Sequence, residues 1–346
     1  MRHVGYISRN RLRHIPAAVR PKHEYCFFLH DQCVHMLKQY EDARANLVTV
    51  NFQSNVTATK FQEIADSEDP IHALRETGHP DEAKRVILNQ ITMAMVSDCL
   101  HHLYEGLTCF EKRKIVVALN VLRKPLKDDL LYLAWMFGDE AGFYQEFTTG
   151  NPERLAKRRL GMIRAEILSK AVVRTTLDSV MDASLLAAIL YDRTSAHGLE
   201  GLFQHAVHLI TVERIELRTS PENFNFIFKS YADDDIYHEV YNCLPYVLLF
   251  LSHVIAGLFN SMKGMDEGAR DAFHLRSLFG FLLLEGKSAR ATQDLVEGML
   301  AHRVDCDACG AKLTLSRHNA ARIVMTDSFR CARCRRVRAF PFSWLI

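Results

Sequence analysis

Four cysteines near the end of the chain carry the strongest chemical pattern in the sequence. Cys306-x2-Cys309 and Cys331-x2-Cys334 frame an insert of 21 residues. A two-residue gap lets both thiolates of a pair reach one ion from a tight turn, and a facing pair completes a tetrahedron. Gly310, directly after the first pair, suits a turn that needs positive φ. Four thiolates favour a single Zn²⁺ and leave no open coordination position, so the site is expected to hold structure and perform no chemistry. Its surroundings are basic: residues 303–338 contain nine Lys or Arg against three Asp, a local net charge of +6. That is an electrostatic footprint for phosphate backbones. The candidate nucleic-acid contacts are Arg317, Arg322, Arg330, Arg333, Arg335, Arg336 and Arg338. The plainer alternative is a basic face that pairs with acids of its own body or of a partner.

The segment CDACGAKL…FRCARC resembles a zinc ribbon, over residues 303 to about 340. The resemblance implies a small module that mounts a binding surface. Its insert is long for a ribbon, and SRHNAARIVM has room for a helical turn or an extended loop. The chain closes on AFPFSWLI, and so apolar an end (Trp344, Leu345, Ile346) is expected to be buried in this chain or another.

Other reactive residues are weaker candidates. His23, Cys26, His30 and Cys33 fall at helical intervals, but one straight helix cannot close a tetrahedron around an ion; a buried core stripe is the better reading. Arg193, His197, His205 and His208 could join in acid–base or phosphodiester chemistry. Asp233, Asp234 and Asp235, with His238 and Glu239, could hold Mg²⁺, although helix capping explains the same acids. Phosphate-binding glycine loops, the dinucleotide turn, the hydrolase elbow and the HExxH and deaminase zinc signatures are all missing.

These residues sit in a chain whose pattern is mainly helical. Apolar residues recur at three and four from Glu24 to Ala45, and again over most of 81–212 and 236–300. Pro80 with Asp81 and Glu82 suits a helix start, and Pro125 and Gly150-Asn151-Pro152 punctuate the run. NLVTVNFQ (46–53) alternates like a short strand. Ile215, Leu217, Phe224, Phe226 and Phe228 suggest a small β-hairpin. Leu244 to Asn260 is apolar over 17 residues but carries Ser252, His253 and Asn260; a buried core helix, kinked or split at Pro245, is expected rather than a membrane span. The expected organisation is a basic N-terminal arm with a mixed segment (1–80), a helical body (81–300), and the zinc module with its apolar tail (301–346).

The stretch CLHHLYEGLTCFEKRKIVVALNVLRKPLKDDLLYLAWMFGDEAGFYQEF looks like the helical bundles of HEPN-type proteins of bacterial defence and toxin systems. Active members carry Arg-x4-6-His on a helix as a ribonuclease site. Here the literal match is Arg9-x4-His14, in the basic arm, and Arg193-x3-His197 is one residue short.

Bulk properties narrow the field further. The chain has 346 residues, 48% apolar and 24% charged, with net charge +2, so a nucleic-acid partner must be argued from local clustering. Nine cysteines without disulfide-like spacing and an N-terminus without an apolar signal run indicate a reducing, cytoplasmic setting. The leading expectation is a zinc-binding, mainly α protein that contacts RNA or DNA through the basic module, with Lys112, Arg113, Lys114, Arg123, Lys124, Arg154, Lys157, Arg158 and Arg159 extending the surface. The alternatives are a HEPN-like ribonuclease, and a non-enzymatic subunit or homo-oligomer that docks a protein partner.

Overall fold

One carboxylate organises the start of the chain. A computed structural model of the protein describes residues 3–195, 198–212, 218–225, 234–284, 289–300 and 304–340. Glu24, near the start of helix α1 (Arg20–Asp42), is fully buried. Its two oxygens accept the backbone N–H groups of Val4 (2.6 Å), Gly5 (2.7 Å), Tyr6 (2.9 Å) and Ile7 (3.3 Å). A carboxylate taken out of water needs such donors to offset its desolvation. Val4, Ile7, Leu12, Ile15 and Val19 are buried along the way. The basic arm is therefore packed onto the body, not loose.

Helix α1 buries Cys26, Leu29, Cys33 and Met36 as the core stripe that its spacing implies. The strand expected over 46–53 does not form, and among the described residues no second strand stands beside it to take its hydrogen bonds. Two short helices follow, α2 (Asn55–Ser67) and α3 (Pro70–Glu76), started by the side chains of Ser54 and Asp69. Helix α4 (Pro80–Glu111) begins at the expected proline with Asp81 and Glu82 in its first turn. Helix α5 (Ile115–Lys124) passes through a π-helical turn (Pro125–Asp129) into α6 (Leu130–Gly138). Pro125 does not end the run: the widened turn absorbs a residue with no N–H to give.

Helices α7 (Glu140–Thr148), α8 (Lys157–Arg174), α9 (Ala183–Tyr191) and α10 (Leu199–Val207) complete this half of the body. The hairpin expected near 215–228 falls largely on 213–217 and 226–230, which lie outside the described residues. Helix α11 (Asp235–Met262) is the axis of the fold, and its most apolar window is 83% buried by the chain itself. Pro245 does not split it. A proline costs one helix hydrogen bond, and packing of α11 on α1, α4 and α6 holds the helix together around that gap.

After α12 (Glu267–Leu284) and α13 (Ala289–Leu300), the C-terminal segment forms α14 (Arg317–Thr326) and an antiparallel hairpin, β1 (Ser328–Arg330) with β2 (Val337–Ala339), in register Phe329↔Arg338. Residues 319–325 of α14 are all buried, against α12 and α13. Arg276 Nε donates to the carbonyl of Val324 (2.8 Å) and its Nη2 to Asp327 (3.0 Å); Gln293 donates to the carbonyl of Leu315 (2.9 Å). The architecture is mainly α, with a small hairpin and a C-terminal cysteine cluster that is bonded into the helical body.

Candidate metal centre and the cleft beside it

Two tight turns present the four sulfurs. In the first, the N–H groups of Cys309 (3.2 Å) and Gly310 (2.7 Å) donate to the carbonyl of Cys306, and the N–H of Cys306 to Ala311 (2.8 Å). The second repeats this plan: the N–H of Arg335 donates to the carbonyl of Cys331 (3.0 Å), and that of Cys331 to Arg336 (2.9 Å). Each turn needs a left-handed residue four positions after its first cysteine, Gly310 at φ 64° and Arg335 at φ 62°. The four sulfurs all lie within 4.8 Å of one another. Cys306 to Cys334 is 3.8 Å and Cys309 to Cys331 is 3.7 Å, across the pairs. A tetrahedron with Zn–S of about 2.3 Å has edges of about 3.8 Å, so the sulfurs fit a single zinc ion. The Cys331 thiol is drawn down to about 6, chiefly by the backbone amide of Cys334 aimed at its sulfur. Burial pushes Cys306 up to about 11, so metal binding must expel its proton.

The insert between the pairs carries α14 ahead of β1, which departs from an all-β ribbon. It decides the fate of the candidate arginines. Arg322 is buried, donating to the carbonyl of Val4 and to Ser328 Oγ (2.7 Å), and it reaches only the floor of a cleft that it helps to line. Its position in the middle of α14, under the N-terminal arm, is the reason. Arg317 caps the end of α12, donating to the carbonyls of Leu283 (2.6 Å) and Leu284 (3.0 Å), where a cation complements the helix dipole. Arg338 is ion-paired with Asp307. Arg330, Arg333, Arg335 and Arg336 remain exposed.

Two of these, Arg330 and Arg335, line a cleft of about 740 Å³ between the C-terminal module and the arm. His3, Tyr6 and Arg9 form the opposite wall, with His318 on α14. No carboxylate is among its described lining residues. Burial, then Arg322 and His3, hold the His318 imidazole below its ordinary value. His3, Arg9 and His318 were not found by spacing, since more than 300 residues separate the two walls. The one sequence signal was an Arg-rich N-terminus with no acid before Glu24.

The remaining candidates do not converge. Among the described residues, the four cysteines are the one cluster of three or more His, Cys, Asp or Glu that could hold a metal. His23 bonds Tyr241 and lies 3.4 Å from Glu111; His30 contacts Asp31 (2.8 Å) and the carbonyl of Leu100 (3.2 Å). Asp233 lies outside the described residues, Asp234 pairs with Arg113 (2.6 Å), and His238 and Glu239 are exposed. Arg193 lies 3.5 Å from Glu200 in a crevice of the body that neither His205 nor His208 lines, and His197 lies outside the described residues.

The basic surface does not continue from the module over the body in the way expected. Arg113, Lys124 and Arg154 are held by Asp234, Asp98 and Glu146, Arg123 lines the crevice, and Lys112 and Lys114 are exposed, as is the paired Lys124. The side chains of Lys157, Arg158 and Arg159 lie outside the described ones. No protein-family model, curated protein or solved structure matches this chain, and neither the ribbon nor the HEPN resemblance gains a family behind it.

Proposed function

We propose that the protein binds single-stranded nucleic acid in the cleft between its N-terminal arm and its zinc-held C-terminal module. The observation that carries this reading is the lining: Arg9, Arg330, Arg335, His3 and His318 face one concavity with no carboxylate among its described residues. The charge comes from the arginines, since the His318 imidazole is held towards its neutral form and His3 lies 3.6 Å from Glu24; cations grouped in a groove concentrate field lines and attract a phosphate backbone. Tyr6 adds a ring to the wall, and rings beside cations favour unpaired bases. The closed thiolate site fixes the angle between β1, β2 and α14 and does no chemistry. A labelled RNA or DNA 12-mer titrated at increasing salt tests this. Binding should weaken steeply with salt, with a log–log slope of about −2 for three phosphate contacts to a single strand. Arg9→Ala with Arg330→Ala should lower both affinity and slope, whereas Lys38→Ala, on the exposed face of α1, should not. Salt-insensitive binding, or none, would refute the proposal.

A further inference from the structure

A second basic cavity lies in the helical body, where α5, its π-helical turn, α6, α8 and α10 meet. It has a volume of about 190 Å³. Its inner side is an ion cluster around the buried Glu200: Lys127 pairs with one carboxylate oxygen, while Gln204 Nε2 donates to the other (2.9 Å) and Arg193 lies 3.5 Å from it. Glu200 is thus committed to groups already present, and little of its acceptor capacity is left for another cation.

Two more guanidiniums line the same cavity, Arg123 from α5 and Arg164 from α8, and neither has a carboxylate partner among the described residues. Arg164 lies over the Tyr191 ring at 4.7 Å, and Tyr191 is itself pinned by donating to the carbonyl of Lys127 (2.8 Å). Arg123 Nε is buried without a hydrogen-bond partner among the described residues. An N–H of a charged group left in that state is costly. The π-helical turn contributes Lys127 and one carboxylate, Asp128, to a lining that otherwise carries the guanidiniums of Arg123, Arg164 and Arg193, and such turns recur at binding sites.

We infer that this cavity binds a small phosphate monoester. A dianion matches two guanidiniums that have no carboxylate partner among the described residues, and each planar fork can take two phosphate oxygens, whereas a monocarboxylate would leave one fork unmatched. Leu131 and Tyr132 line the rest and suit the organic body of the ligand. Gly161 of α8 also lines the cavity, and a Cβ built there meets nothing within 4 Å. The site stands apart from the cleft at the C-terminal module, with which it shares no lining residue.

Titration calorimetry of the full zinc-loaded chain with inorganic phosphate and with adenosine monophosphate is the test. One saturable site per chain is expected, with affinity at least tenfold lower in Arg164→Gln and in Arg123→Gln and unchanged in Arg330→Ala. Gly161→Leu fills the cavity while favouring the helix, so its loss of adenosine monophosphate binding cannot be ascribed to unfolding. Absence of saturable binding for both probes would overturn the inference. Binding untouched by Arg164→Gln and Gly161→Leu would do the same, as would binding abolished by Arg330→Ala.

Discussion

Arg335→Gly separates the structural from the binding role of the second cysteine turn. Arg335 sits at φ 62°, where a side chain costs about 1–2 kcal/mol relative to the ordinary helical region. Glycine removes that strain but loses about 0.5–1 kcal/mol through its greater freedom in the unfolded chain. Both local hydrogen bonds use the main chain of residue 335: its N–H to Cys331 (3.0 Å), and its carbonyl from Arg330 Nε (3.1 Å). They survive the change. The variant should therefore be about 0.5–1 kcal/mol more stable in urea, a result foreshadowed by Gly310 at the matching position of the first turn. The same change deletes one cleft cation, so the slope of log affinity against log salt should fall by about 0.7 for a single strand. Urea denaturation of the zinc-loaded protein and fluorescence anisotropy across a salt series measure the two quantities. A loss of more than about 1 kcal/mol would show that the side chain supports the turn, against the strain argument. An unchanged salt slope would remove Arg335 from the binding surface.

Metal analysis should return one zinc per chain. Chelation should expose residues 304–340 to protease until zinc is restored, and a cleavage pattern indifferent to chelator would rule out a structural ion. Glu24→Gln weakens four main-chain hydrogen bonds to a buried carboxylate and should cost about 2 kcal/mol, measured by denaturation, with new cleavage before residue 20; wild-type stability would contradict the anchoring role. His253, buried between Thr176 and Ser277 and stacked on His274, has its pKa pushed down to about 3, first by burial and then by that neighbour. Between about pH 3 and 6.5 the unfolded chain binds a proton that the folded chain refuses, so stability should fall as pH drops below 6.5. The slope is at most about 1.4 kcal/mol per pH unit from this group. His253→Gln should flatten it, and an equal slope in both proteins would place the pH dependence elsewhere.

Much of this protein was legible in local patterns. A cysteine pair two residues apart is a turn on its own scale, so Cys306, Cys309, Cys331 and Cys334 needed no fold to be recognised. Apolar residues at three and four residue intervals likewise report helices such as α1, α4 and α11, because that spacing serves one face. Local patterns failed where a neighbour decides the outcome. NLVTVNFQ alternates as a strand would, yet a strand exists only with a partner. Pro125 was expected to punctuate the helical run and Pro245 to kink or split its helix; a π-helical turn carries the chain past the first, and packing from several sides keeps the second inside one helix.

The candidate surface shows the same division. Counting charges located the basic segment but could not say which side of α14 faces inward, so Arg322, one of seven arginines, is held by Val4 at the floor of the cleft while Arg330 and Arg335 stay in solvent along it. The cleft itself joins His3 and Arg9 to residues 318–337, brought together because Glu24 binds the arm's amides and Arg322 holds its carbonyl. The sequence by itself determined the four-cysteine cluster that could hold a metal, the helical class and the local charge, since each depends on residues in patterns close along the chain. Only the tertiary structure decided which charges share a concavity and which are spent on the protein's own carboxylates and carbonyls, since burial and ion pairing depend on distance in space.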